Sequence, residues 1–133
     1  MLLDTGPIVA VLDVADQSHQ QCVAVWHALA DRCLTTEAVV TEASHLVARG
    51  GASPALPLEF LLSVGIPIVA LEPPGHEHAV RLMNRYGDVP MDYADATLAV
   101  VADALKLGTV FTLDRRGFRA YRRATGAAFV LEP

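Results

Sequence analysis

Four acids stand where this sequence can do chemistry with charge. Asp4 follows Leu2 and Leu3, and Asp114 follows Val110-Phe111-Thr112-Leu113, so each comes directly after a short apolar run of strand length. Acids at the carboxyl ends of parallel strands lie on the edge where open α/β sheets bind ligands. Either one alone serves equally as a helix cap or turn acid. Glu42 has Val39 three residues before it, Ala43 directly after it and Leu46 four residues on. That spacing puts its carboxylate on the apolar side of a helix. A charge persists there only when it is paired, for instance with His45, or bound to a metal ion. Asp95 shares a helix face with Asp92 and, further on, with Ala99 and Ala102, so it points at close-packed surface. Asp92 has two available roles, as a further site acid or as an N-terminal acid favoured by the helix dipole. Asp103, between Ala102 and Ala104, is read as a solvated acid.

Were these acids to converge, each close pair of like charges would cost about 3 to 4 kcal/mol at an effective dielectric near 20. Several such pairs require a cation. Carboxylate oxygens select hard ions, Mg²⁺ or Mn²⁺ ahead of Zn²⁺ or Cu²⁺. A hard ion held at a sheet edge can activate water and neutralise the charge that builds on a phosphodiester as it is hydrolysed.

The acids need a scaffold to meet on. Short apolar runs alternate with longer segments of helical period, the pattern of β-α units that build a parallel sheet with helices on both faces, an α/β fold. Strands are expected at Met1–Leu3, Cys33–Thr36, Ile66–Leu71, Val110–Leu113 and Ala128–Leu131. Helices are expected at Ile8–Leu12, Ser18–Ala30, Ala38–Ala48, Leu58–Val64, from Pro73-Pro74 through Met83, and at Asp92–Leu107 with Gly108 as its C-cap. Cys22, Val25, Trp26 and Leu29 recur at spacings of three and four and mark a buried stripe.

A chain of 133 residues suffices for one compact core, so residues 1–133 are read as one domain. Apolar residues make up 53% of it, yet no uninterrupted run approaches the roughly 18 to 20 that a membrane-spanning helix needs. Met1-Leu2-Leu3 runs into Asp4 with no basic region before it, unlike a secretory signal, and a cytoplasmic protein is expected. Cys22 and Cys33 lie outside any C-x-x-C spacing and are read as reduced core thiols. The net charge of −5 weighs against a nonspecific nucleic-acid binder, since Lys and Arg supply that binding. Positive charge is nevertheless concentrated in Arg115, Arg116, Arg119, Arg122 and Arg123, either a solvated helix face or a contact surface for phosphate.

Four segments together, Leu3-Asp4-Thr5-Gly6-Pro7-Ile8-Val9-Ala10, Glu42-Ala43, Pro90-Met91-Asp92-Tyr93-Ala94-Asp95-Ala96 and Phe111-Thr112-Leu113-Asp114-Arg115-Arg116-Gly117-Phe118, resemble a PIN domain of the VapC toxin type over nearly the whole chain. The resemblance implies a Mg²⁺- or Mn²⁺-dependent endoribonuclease with Asp4, Glu42, Asp95 and Asp114 as its acidic quartet. It also implies a cognate antitoxin partner and a homodimer. The hydroxyl beside the first strand maps onto Thr5 and the strand-end threonine onto Thr112. Arg115 and Arg116, directly after Asp114, are the candidate RNA contacts, because a guanidinium holds phosphate bidentately. Two positions depart from the family pattern: Gly117 replaces a further acid and Gly6 a common hydroxyl residue. A degenerate fold that only binds a partner is the competing reading, and a phosphotransfer domain is a weaker one. A receiver domain needs a strand-end lysine, and the only lysine, Lys106, lies in a helix; a dehalogenase-like enzyme needs D-x-D where this chain has Asp4-Thr5-Gly6.

Overall fold

The computed structural model describes residues 1–133. Five short parallel strands carry the fold: β1 (Leu2–Leu3), β2 (Thr35–Thr36), β3 (Ile68–Val69), β4 (Thr109–Phe111) and β5 (Val130–Glu132). β4 lies between β1 and β5, and β2 pairs with β3. A parallel bridge between Leu2 and Leu34 joins the two groups, with Leu3 N–H donating to the Leu34 carbonyl at 2.8 Å, so the strand order is β3-β2-β1-β4-β5. Seven α-helices surround it: α1 (Thr5–Leu12), α2 (His19–Leu29), α3 (Glu37–Arg49), α4 (Leu56–Ser63), α5 (Pro73–Arg85), α6 (Tyr93–Leu105) and α7 (Arg115–Ala120). α1 packs on α2, α3 and α4, while α5 packs on α6. Leu2, Leu3, Val110 and Phe111 are fully buried, as expected for strands covered on both faces.

The α/β class and every expected element are present, and the boundaries move for identifiable reasons. α1 begins at Thr5, three residues earlier than the apolar run suggests, because the Asp4 carboxylate caps it by accepting the Thr5 N–H. Thr36 caps α3 in the same way through the Val39 N–H. The expected strand at Ile66–Leu71 narrows to Ile68–Val69, the residues in register with Thr35 and Thr36 of β2. Ala128 is held in an antiparallel bridge to Arg122, so β5 starts later and its register against β4 extends it to Glu132. α6 ends before the expected Gly108: Lys106 takes the left-handed conformation (φ 57) and Leu107 turns back, its N–H on the Ala102 carbonyl at 2.9 Å. The partly buried Leu107 belongs to the core, which forces the turn ahead of it. Gly108 serves another end, because a Cβ there would lie 3.0 Å from the Arg123 guanidinium. Along α2 the buried stripe reduces to Cys22 and Trp26, with Val25 and Leu29 only partly covered. No helix is long and apolar enough to cross a membrane.

Candidate active site

The parallel register brings the first acid to the last strands. Leu3 sits beside Phe111, so Asp4, one residue past β1, lies next to Thr112, one residue past β4. Both Asp4 oxygens are held: Oδ1 accepts the Thr5 N–H at 2.7 Å and Oδ2 accepts the Thr112 hydroxyl at 2.6 Å. The same Thr112 Oγ1 accepts the Asp114 N–H at 2.9 Å, which ties the two strand-end acids to one side chain. Asp114 caps α7, its Oδ1 accepting from the Arg116 and Gly117 amides at 3.2 and 3.0 Å. Gly117 makes that posture possible, since a Cβ there would fall 2.1 Å from Asp114 Oδ2 and 2.9 Å from the Tyr121 hydroxyl.

The helices supply the remaining acids. Glu42 is half-buried at the margin of the apolar face of α3, not within it: Val39, Val40, Ala43 and Val47 form that face and Leu46 is 40% exposed. Its partner is Thr5, whose hydroxyl donates to Oε2 at 2.5 Å, and not His45. Asp92 caps α6 through the Asp95 N–H at 2.9 Å, yet it also lines the same pocket as the other acids, so its two expected roles coexist. Asp95 Oδ2 accepts the Tyr121 hydroxyl at 3.2 Å, a proton that this phenol shares with the Pro90 carbonyl at 2.9 Å. Asp103 is not merely solvated: it accepts the Ala124 N–H at 2.8 Å and meets His78 at 3.9 Å, fixing the segment after α7.

Asp4, Glu42, Asp92, Asp95 and Asp114 thus line one pocket of about 220 Å³ at the carboxyl edge of the sheet, together with Thr5, Gly6 and Leu46. None of the five is paired with a Lys or Arg side chain; the single contact of this kind in the molecule is His78 with Asp103. No three of the five carboxyls stand together as a ready-formed metal site. Burial pushes the Asp4 carboxyl up to about 6, with Glu42 and Asp92 adding to it and the bonds from Thr112 and the Thr5 amide opposing it. Burial likewise lifts Asp95 to about 8, reinforced by Asp4, Asp92 and Asp114 and opposed by Tyr121. Burial and the Asp95 carboxylate also hold the Tyr121 phenol far above its ordinary range, so it remains a donor.

Residues 1–124 match the PIN domain family. The chain belongs to the PIN-domain family. Ribonuclease VapC26 of Mycobacterium tuberculosis is 32% identical over 135 residues, an alignment that covers 100% of both chains, so within that family the chain is a VapC-type ribonuclease. The fold agrees. VapC20 of Mycobacterium tuberculosis, a sarcin–ricin loop cleaving toxin, superposes with a TM-score of 0.84 at 18% identity, covering 99% of this chain and 98% of that one. VapBC2 of Rickettsia felis, solved bound to a DNA fragment from its promoter, gives a TM-score of 0.68 at 17% identity over 98% and 96%.

Not every residue expected at this PIN-domain pocket lines it. Arg115 and Arg116 begin α7 beside Asp114 but are exposed and do not line the pocket; the Arg115 guanidinium donates to the Pro133 carbonyl. Conversely, Tyr121 is a site residue that the Arg-rich run around it conceals. Only the turn at the end of α7 places its hydroxyl on Asp95, and nothing in its local sequence signals that arrangement. It is fully buried and stacks edge-on to Tyr86 and Phe118, with centroids 5.1 and 5.4 Å away.

Proposed function

We propose that the five-carboxyl pocket is the active site of this VapC-type ribonuclease, hydrolysing RNA phosphodiester bonds with a divalent cation, Mg²⁺ or Mn²⁺. Asp4, Glu42, Asp95 and Asp114 hold the ion, and Asp92 contributes from the cap of α6. The observation that carries this reading is the convergence of five carboxyls with no cationic side chain paired to any of them. The donor set fits a hard ion, being all oxygen. It fits in charge as well, because Asp95 keeps its proton up to about 8, and a divalent cation would displace it. When bound there, such an ion lowers the pKa of a water and neutralises charge on the phosphodiester.

The surrounding residues aim the acids. Thr112 and the Thr5 amide fix both oxygens of Asp4, the Thr5 hydroxyl fixes Glu42, and Tyr121 fixes Asp95. Each donor occupies one lone pair of its carboxylate oxygen and leaves another directed elsewhere. Arg115 and Arg116, on the outer rim, serve RNA held across the pocket mouth.

In this reading the chain is the toxin of a pair, a role supported by its likeness to VapC26, VapC20 and VapBC2. Its partner is a cognate antitoxin, and its RNA substrate assigns it to the cytoplasm. A homodimer belongs to the same reading, supported by Val80 on α5, 58% exposed, and Leu105 at the end of α6, 52% exposed. Light scattering of the chain alone at micromolar concentration distinguishes dimer from monomer, and a monomer removes that part. The central test is cleavage of total RNA by purified protein. Mg²⁺ or Mn²⁺ should support it, EDTA should stop it, and Asp95→Asn should abolish it. Cleavage undiminished in EDTA or in Asp95→Asn would overturn the assignment.

A further inference from the structure

A second cleft adjoins the acidic pocket along the carboxyl edge of the sheet. An open trough lined by His45 and Tyr93 shares Glu42 and Asp92 with the acidic pocket. Past Tyr93, Ala38 and Thr41 it continues into a cleft of about 240 Å³ that reaches β3 and His76 at the start of α5. Tyr93 forms its wall. As the first residue of α6 it is 43% exposed, and its hydroxyl lies 2.9 Å from Nδ1 of His76. The two rings are inclined by only 19° with centroids 6.3 Å apart. That separation is too long for face-to-face packing and matches rings joined edge to edge through the hydrogen bond. Tyr93 supplies the exposed ring face, and the hydrogen bond to His76 fixes its orientation.

We infer that the Tyr93 ring, held by His76, is a stacking subsite for one nucleobase of single-stranded RNA, adjacent to the phosphodiester at the acids and resting on the ribonuclease reading of those acids. Unpaired bases stack on aromatic side chains, and every base has a face to offer. The cleft is smaller than the roughly 300 Å³ at which sites for larger ligands begin, so it suits one ring system. Its charge favours the base over the backbone: Glu37 is the one acid lining the cleft and no Lys or Arg lines it, so a phosphate there would meet no cation. The Glu37 carboxylate can accept a hydrogen bond from an exocyclic amine, which adenine and cytosine have and uracil lacks. The bond to His76 holds the Tyr93 ring in place before any base arrives, so little freedom is lost on binding.

Fluorescence anisotropy of labelled octaribonucleotides of A, C or U, with Ca²⁺ present and each strand checked intact by gel, tests the subsite. Tyr93→Ala should weaken binding at least about fivefold. Tyr93→Phe keeps the stacking face, and both it and His76→Ala should lose no more than about threefold, the share of preorganisation. Glu37→Ala should abolish the preference for A and C over U. Melting temperature and calorimetric Mg²⁺ affinity should be unchanged in every variant. Affinity within twofold of wild type for Tyr93→Ala, while wild type still cleaves RNA with Mg²⁺, removes the subsite and leaves the ribonuclease reading standing. Equal losses in Tyr93→Ala and Tyr93→Phe likewise remove it, since the hydroxyl and not the face would then be responsible. A wild type that neither binds the octamers nor cleaves RNA with Mg²⁺ or Mn²⁺ removes both.

Discussion

Replacing Asp95 with Asn should change how stability depends on pH and reduce the stability gained from metal. In EDTA the native chain keeps the Asp95 proton up to about 8, while an unfolded carboxyl releases it near 3.8. Between those values the native state binds more protons than the unfolded state, so wild-type stability is fully present below about pH 4, falls as pH rises and levels off above about pH 8. At about 1.4 kcal/mol per pH unit the fall attributable to Asp95 is at most about 6 kcal/mol. Water at the pocket rim screens the partly exposed carboxyl and reduces this to about 2 to 3 kcal/mol. Asn is nearly isosteric and has no proton to lose, so its profile should retain only the smaller fall due to Asp4, between about 4 and about 6. At pH 9 in EDTA Asp95→Asn should therefore be the more stable protein by about 2 to 3 kcal/mol, roughly 10 °C for a chain of this size. Near pH 5 the two should melt together. A hundredfold excess of Mg²⁺ over its Kd adds about 2.7 kcal/mol to wild type, and the weaker-binding variant gains less, so the gap between the two narrows. Calorimetric melts at pH 5, 7 and 9, each with EDTA and with Mg²⁺, provide the test. Parallel pH profiles in EDTA, or equal gains from Mg²⁺, would refute the argument and leave Asp95 a structural acid satisfied by Tyr121.

Three further outcomes rest on the same hydrogen bonds and close approaches. Gly117→Ala must push the Asp114 carboxylate off its cap, because the new Cβ falls 2.1 Å from Oδ2; it should cost about 1 kcal/mol of stability despite better helix propensity, and also weaken Mg²⁺ binding in calorimetry. Thr112→Val removes the donor to Asp4 and the acceptor of the Asp114 amide, so it should cost about 1 to 3 kcal/mol in denaturant melts. It should also raise the Asp4 carboxyl above about 6 and move the acid limb of metal-supported cleavage to higher pH. Substituting Ala for both Arg115 and Arg116 should leave folding intact and flatten the log–log salt dependence of RNA binding by about 0.7 for each phosphate that an arginine no longer neutralises; an unchanged slope would show that neither arginine touches RNA.

The alternation of apolar runs and helical periods fixes the α/β class without any tertiary information, because strands and helices that bury one face impose their periods on the chain locally. The two strand-end acids are legible for the same reason: an Asp directly after a buried apolar run has nowhere to go but the sheet edge, as Asp4 and Asp114 do. Asp95 is legible through Ala99 and Ala102 on its face. Glu42 is legible as a site acid but not in its surroundings, since its partner is a hydroxyl from α1, with α2 and β2 between them in sequence. Asp92 could not be resolved locally, because capping and lining the pocket are satisfied by one carboxylate in one place. What required the fold is every pairing that spans the sheet: Thr112 on Asp4, set by the β1–β4 register; Tyr121 on Asp95, set by the turn after α7; and Tyr93 beside His76, set by α5 packing on α6. Local sequence encodes which face of its own element a side chain occupies. Which foreign side chain it meets depends on register, crossover and helix packing, and these are settled only when distant segments bury their apolar faces together.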